Sequence, residues 1–289
     1  MTGPARWVGG REEPTSGIGR SLASQRRKVK QGKRLHRIPR VRYLRPVLGQ
    51  QLVVLADAHL GAVGPEVEES LLAFLDTVST LGDCLLVNGD LFDFWFSYRR
   101  VIPRRGFHVA AALGQVRRRI PVVMIGGNHD RWGGDFWQKD LGIAFHPIET
   151  RFAIGSCAVL AVHGDGLTEQ YWSAEWMHHL TRNRLTIALW KALHPDWGFW
   201  LVDKMSRGLG YSTREPSVLE AAAAKQQAWA ERKLAEEPSL GLVVMGHTHR
   251  PALIDTGDGR QYLNPGAWMD GFRYAVATET GATLSHFAP

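Results

Sequence analysis

Five apolar runs along the chain each end on the same few polar residue types. Val53-Val54-Leu55-Ala56 leads into Asp57-Ala58-His59, and Leu85-Leu86-Val87 leads into Gly89-Asp90. Val122-Val123-Met124-Ile125 leads into Gly127-Asn128-His129-Asp130, Val159-Leu160-Ala161-Val162 into His163-Gly164-Asp165, and Val243-Val244-Met245 into Gly246-His247-Thr248-His249. Short apolar runs bounded by Gly or Pro read as buried strands. Between the first two, Val67, Leu71, Leu72, Leu75 and Val78 recur at helical spacing, with Pro65 at the start and Gly82 at the end. A second helix is expected over 109–119. This alternation predicts βαβ units and a largely parallel core. In such sheets ligands bind outside the carboxyl ends of the strands, which is where the Asp, Asn and His residues fall.

Residues 143–163 read as shorter strands. From 169 to about 237 the pattern turns helical, with one apolar cluster at Leu180, Leu185, Ile187, Leu189, Trp190 and Leu193 and another over 219–234. Six of the eleven tryptophans (Trp172, Trp176, Trp190, Trp197, Trp200, Trp229) lie in this stretch, which reads as a helical cap inserted between the fourth and fifth runs. Strands return at 240–245, 252–254, 261–263, 274–278 and 282–287.

A length of 289 residues suits one large domain, or a domain with an insertion. No run approaches the roughly 20 apolar residues that span a bilayer, and no signal-peptide core stands near the start. Cys84 and Cys157 sit in apolar runs and read as buried free thiols, so a cytoplasmic location is expected. The net charge of +7 is unevenly placed. Residues 1–48 hold thirteen Lys and Arg against two Glu, a charge of +11, which leaves −4 for the remaining 241. This leader, rich in Gly, Pro, Ser and Arg, is expected to be a disordered basic arm, with the folded domain over 49–289. Contact with nucleic acid or anionic lipid headgroups are the sharper readings of its charge.

Carboxylate, amide oxygen and imidazole form a mixed hard and borderline donor set that suits Mn²⁺, Fe²⁺ or Zn²⁺. Asp57, His59, Asp90, Asn128, His163, His247 and His249 are too many for one ion and about right for two that share a bridging carboxylate. Two metals roughly 3.5–4 Å apart form a clamp for in-line phosphoryl displacement and generate hydroxide near neutral pH. Each motif alone is commonplace, but five in one chain, each after an apolar run, point to a shared site.

The ordered set DAH, GDLFD, GNHD, HGD and GHTH resembles the calcineurin-like metallophosphoesterases over about 50–289. The resemblance implies a four-layer α/β/β/α sandwich with a helical cap and a dinuclear site at its strand ends. It places Asp57, His59, Asp90 and His249 on one metal, Asp90 as the bridge, and Asn128, His163 and His247 on the other. His129 would stabilise phosphoryl oxygens or protonate the leaving group, oriented by Asp130, while Asp93 and Asp165 would serve turns or orient ligands. GDLFDFW, the helical insertion, Leu193-His194-Pro195-Asp196 and GHTHRP are similar to the UDP-2,3-diacylglucosamine pyrophosphohydrolases. Those enzymes release UMP and 2,3-diacylglucosamine 1-phosphate, typically with Mn²⁺, and hold acyl chains under a helical cap. That likeness implies a small phosphorylated, lipid-linked substrate and peripheral contact at the inner membrane surface, with a nucleic-acid partner set aside. Phe94 and Trp95 would line an apolar slot beside Asn128, although the same aromatics would equally serve to pack cap against core. Arg207 and Arg214 would contact substrate phosphate. Two departures stand out: the group commonly carries Arg at the position of His129, and its pattern after HGD is not reproduced over 166–172. The alternative is a phosphodiesterase or phosphatase acting on another small phosphoester or on nucleic acid.

Overall fold

The computed structural model describes residues 46–167, 183–209 and 216–289. Of the basic arm expected over 1–48, residues 1–45 lie outside them. One six-stranded sheet is built on β2 (Leu52–Leu55), β3 (Cys84–Asn88), β4 (Val122–Ile125) and β5 (Ala144–His146), all parallel, and extended antiparallel by β11 (Arg273–Thr278) and β12 (Gly281–His286). A second six-stranded sheet, of mixed sense, has the order β1 (Val47–Gly49), β6 (Glu149–Ile154), β7 (Cys157–Val162), β8 (Leu242–Val244), β10 (Gln261–Asn264), β9 (Ala252–Asp255).

The period of two along each strand assigns alternate side chains to alternate layers. Leu52 and Val54 join Val159, Ala161, Leu242 and Val244 in the core between the sheets. Val53 and Leu55 point the other way, against α1 (Pro65–Leu81) and α2 (Phe107–Arg119). On the far side Leu160, Val162, Val243 and Met245 pack on Ala230 and Leu234 of a long helix over Pro216–Glu236. The result is the expected α/β/β/α sandwich. The central strands β2, β3, β4 and β8 are buried on both faces, which is why the motif runs are continuously apolar rather than alternating.

α1 carries Pro65 in its first turn and buries Val67, Leu71, Phe74, Leu75 and Val78, as its spacing predicts. A short helix α3 (Phe136–Lys139) follows β4. Beyond β7 come α4 (Arg184–Ala192), α5 (Pro195–Leu209) and α6 (Pro216–Glu236). Two differences from the sequence reading concern boundaries. β1, a three-residue strand too short to leave a periodic signal, straddles the boundary set between the arm and the domain at 48 and 49, and pairs in parallel with β6. α6 lies within the stretch assigned to the cap, yet Gln226, Ala230 and Leu234 are fully buried against the second sheet. Among the described residues, no helix is long and apolar enough to cross a membrane.

Candidate metal centre

Every strand that ends in a motif delivers its polar residues to one place. Asp57 and His59 follow β2, Asp90 follows β3, Asn128 and His129 follow β4, His163 follows β7, and His247 and His249 follow β8. His59 Nε2 lies 3.2 Å from His249 Nε2, and His249 Nε2 lies 3.5 Å from Asp57 Oδ1. His163 Nε2 lies 3.1 Å from Asp90 Oδ2 and 4.0 Å from Asp57 Oδ1, and His59 Nε2 lies 3.9 Å from Asp90 Oδ2. Three overlapping groups have donor atoms within 4.8 Å of one another: Asp57, His59 and His249; Asp90, His163 and His247; and His59, Asp90 and His129. Asp90 links the second group to the third and lies between the two sheets' contributions.

The backbone is bent to achieve this. Asp57, His59, Asp90, His247 and His249 have φ of 55°, 45°, 49°, 69° and 58°. Non-glycine residues enter this left-handed region at a cost of order 1–3 kcal/mol each, and they persist only where the surroundings over-determine them. Here the loops hold one another: Asp57 N–H donates to Gly89 O (3.1 Å), His59 N–H to Asp90 O (3.0 Å), and Gly246 N–H to His163 O (2.9 Å). The Asp57 carboxylate accepts the His247 N–H at 3.0 and 3.1 Å, and Asp90 Oδ1 accepts the His129 N–H at 2.9 Å. Gly89, at φ 90°, lies where a Cβ would strike the His163 ring, and a Cβ on Gly127 would strike the Asp90 carboxylate. Close approach of loop to side chain is therefore what these two glycines permit.

Charge in the site is unbalanced without a cation. Asp57 and Asp90 are buried, and no Lys or Arg among the described residues pairs with either. Burial pushes Asp57 up to about 8. Burial acts on Asp90 in the same direction, but His163 and His129 outweigh it and hold that carboxyl well below its usual range. His163 in turn, against its own burial, is pushed up to about 10 by Asp90 and Asp57. His59 is driven down to about 3, chiefly by burial. The protein thus meets buried carboxylate charge with protons, the arrangement a divalent ion would replace. The orientation of the donors fits one. His163 Nδ1 lies 2.7 Å from the Asn88 carbonyl, which can only accept, so Nδ1 carries the hydrogen and Nε2 turns toward Asp90. Asn128 Oδ1 is buried with no hydrogen-bond partner, an acceptor that a cation would satisfy.

Four expectations fare differently. Asp130 does not stand behind His129. Its carboxylate accepts the N–H groups of Gly127 (2.8 Å), Leu91 (2.7 Å) and Phe92 (3.3 Å), so it clamps the β4 loop to the β3 loop. The group behind His129 is Asp93, whose carbonyl lies 2.8 Å and carboxylate 3.6 Å from Nδ1. Trp95 does not line a slot at the donors: it is fully buried against Phe92, Phe136 and Trp137 and borders a cavity that it shares with Ser97 and Tyr98. Phe94 is half-buried and packs on Trp132, on Trp190 of α4 and on Phe199 of α5, which joins the cap helices to the loop after β3. Arg214 and the side chain of Arg207 lie outside the described residues. A cavity of about 240 Å³ opens beside Ser97, Tyr98, Ile102 and Phe136, and none of the seven donors lines it.

Sequence reasoning missed the support beneath the GHTH loop. Gln226 of α6, fully buried, donates to Gly246 O (3.1 Å) and accepts from Thr248 Oγ1 (3.2 Å), and Asn264 Nδ2 donates to the same Gly246 O (3.0 Å). Nothing in the helical pattern around Gln226 distinguishes it. The nearest legible signal was a lone polar residue on the apolar side of that helix. Arg131 pairs with Asp165, tying the loop after β4 to the loop after β7.

The family model described as calcineurin-like phosphoesterase matches residues 51–251, from β2 through the GHTH loop. The chain belongs to the calcineurin-like phosphoesterase family. It is accordingly a hydrolase of phosphoester bonds. Among curated relatives it is similar to the UDP-2,3-diacylglucosamine hydrolase of Porphyromonas gingivalis, 29% identical over 79% of this chain and 94% of that protein. The protein of the same name from Serratia proteamaculans is 28% identical over 74% of this chain and 89% of its own length. Among solved structures, Vacuolar Protein Sorting 29 from Cryptosporidium parvum is 13% identical, covers 83% of this chain and 98% of its own, and has a TM-score of 0.41. In this phosphoesterase the matched segment contains all seven donors and His129.

Proposed function

We infer that this phosphoesterase holds two divalent ions and hydrolyses a pyrophosphate or phosphodiester, foremost a UDP-2,3-diacylglucosamine-type substrate, giving UMP and 2,3-diacylglucosamine 1-phosphate. The observation that carries the two-ion reading is the pair of donor groups, Asp57-His59-His249 and Asp90-His163-His247, with Asp90 also within reach of His59. Asn128 completes the second group through its unpartnered Oδ1. Mn²⁺, Fe²⁺ and Zn²⁺ all fit this oxygen and imidazole set, and Mn²⁺ is the ion that the family resemblance implies. Bound ions supply Lewis acidity at the phosphoryl oxygens and make water acidic enough to act as a nucleophile at neutral pH.

The chain's own residues do the rest. His129 keeps its Nδ1 hydrogen on the Asp93 carbonyl, which leaves Nε2 as the atom that hands a proton to the leaving oxygen. Burial opposes that proton, but in the metal-free protein Asp90 and Asp93 outweigh it and push His129 up to about 9; with cations on Asp90, the Asp93 contacts are what continue to favour the proton. Asp130 and the His129 N–H to Asp90 contact hold the imidazole's loop at a constant distance from the donors.

The lipid-linked substrate rests on the curated relatives, whose printed activity is on UDP-2,3-diacylglucosamine, and on the aromatic loop joined to α4 and α5. A substrate of that kind resides at a membrane, so peripheral contact of a cytoplasmic protein with that surface follows from it. A second reading, turnover of another small phosphoester, is favoured by the burial of Trp95 and by the way Phe94 is covered. Turnover of a nucleotide-linked diacyl sugar against bis(p-nitrophenyl) phosphate, both with Mn²⁺, separates the two. Faster turnover of the lipid is expected. If only the aryl diester reacts, the second reading replaces the first.

A further inference from the structure

The loop after β3 and the cap helices share an unusual surface. Over 99–107 the chain reads Arg-Arg-Val-Ile-Pro-Arg-Arg-Gly-Phe, four arginines with no acidic residue, in a body whose net charge is −4. Val101 and Ile102 are 49% and 46% exposed, flanked on both sides by exposed arginines. Arg105 pairs with Asp203 of α5 at 2.9 Å, which sets this loop beside that helix. On α5, Trp197, Trp200, Leu201 and Lys204 recur at spacings of three, one and three, the stripe of a single helix face. All four are exposed, the two tryptophans by 68% and 60%, and Lys204 Nζ lies 4.9 Å above the Trp200 ring. The opposite side of the same helix is apolar too, since Phe199 packs on Phe94 and Gly198 approaches Tyr98. A surface helix ordinarily turns a polar face outward. α4 repeats the departure, with Trp190 seated on Phe94 and Phe96 while Leu185 and Leu189 are 67% and 65% exposed.

We propose that the 99–107 loop and the outer face of α5, with α4 beside it, dock this protein on an anionic lipid bilayer. The composition selects that occupant. Arg and Lys interleaved with Trp and branched aliphatics match the zone where headgroup phosphates meet acyl chains. A second copy of the chain would bring the four loop arginines against their own kind. A nucleic acid would leave Val101, Ile102, Leu185 and Leu189 without a counterpart. The loop lies in the same connection after β3 that carries Asp90 and Asp93, so the docked face and the donor cluster share one segment of chain. The proposal rests on the peripheral contact inferred above and names the face that makes it.

Co-sedimentation of the full chain, with Mn²⁺, on phosphatidylcholine vesicles with and without phosphatidylglycerol tests it. Binding to the anionic vesicles alone is expected. Trp197→Ser with Trp200→Ser should weaken that partition by about tenfold or more, the scale set by two aromatic side chains. Arg99→Glu with Arg100→Glu should weaken it by about tenfold at low salt. Both pairs should turn over soluble bis(p-nitrophenyl) phosphate at the parent rate, which shows that each has folded. Vesicle binding equal in parent and variants overturns the proposal, because the basic leader would then account for all of it. So does a vesicle-independent dimer that the tryptophan variant abolishes, which would assign the face to a second copy. Vesicle binding that behaves as expected while the nucleotide-linked lipid is not hydrolysed refutes the substrate reading and leaves the docking face standing.

Discussion

The strand-end site and the cap helices break the ordinary rule of burial in opposite directions. At the strand ends Asp57, Asp90 and His163 are buried polar groups, the two carboxylates on strained backbone and all crossed by hydrogen bonds from neighbouring loops. On α4 and α5, Leu185, Leu189, Trp197 and Trp200 are large apolar groups left in water. A buried charge and an exposed apolar patch are the two deviations from burial that carry information. The first stores the capacity to grip a cation. The second stores the capacity to leave water for another surface. The two regions should therefore respond differently to substitution, the site through chemistry and the cap through partition.

The largest effect is expected from Asp90→Asn. It removes the carboxylate that belongs to the His163-His247 group and also reaches His59, so metal content and turnover should fall together, the rate by about 10⁴-fold or roughly 5 kcal/mol. Metal analysis beside steady-state kinetics checks this, and a variant that keeps full metal and full rate would remove Asp90 from the centre. His129→Ala should keep the metal and lose about 10²- to 10⁴-fold in rate, the usual contribution of a positioned acid. Loss of metal in that variant would move His129 into the ligand set, a role its place among Asp90 and His59 allows.

Chelation tests the same region through stability. In the metal-free protein His163 titrates at about 10 rather than 6.5, so the stability it contributes is present below 6.5 and lost as pH rises through 10. Asp57 acts in the same sense, since its folded value of about 8 exceeds 3.8, and the cost of its charge appears as pH rises between them. The melting temperature of the chelated chain should therefore fall from pH 6.5 to 10, and saturating Mn²⁺ should flatten that slope. A chelated protein as stable at pH 9 as at pH 6.5 would contradict the proton-for-metal exchange.

Gln226→Leu should cost about 1–3 kcal/mol in urea unfolding, because Asn264 and Thr248 lose a buried partner. It should also weaken metal binding, since His247 and His249 sit on the loop it supports. The smallest effect belongs to the other region. Trp197→Ser with Trp200→Ser should change stability by less than about 0.5 kcal/mol, as exposed substitutions do. A large loss would show that these rings pack on something and would erase the contrast between site and cap.

The two regions also differ in how much could be read in advance. The site was legible because its chemistry is written locally, one short polar motif at the end of each apolar run. The sandwich was legible because continuous apolar strands alternate with amphipathic helices. Asp130 was misread because nearness in sequence suggested a partner for His129, whereas the turn aims its carboxylate at the N–H groups of Gly127, Leu91 and Phe92. Trp95 and Phe94 are adjacent, and the extended chain sends them to opposite sides, one into the core and one toward the cap.

Which residue types converge, and in which order along the chain, follows from composition and period alone, because strand ends and helix faces are set by neighbours a few residues apart. Which atom faces which is settled only when loops from two sheets meet. Asp93 behind His129, Asn88 fixing His163, Gln226 beneath the GHTH loop and Arg105 beside α5 are contacts between residues 36 to 98 positions apart in all but the Gln226 case, where 20 separate it from Gly246. No local pattern encodes such pairings; they arise from close packing of the folded layers.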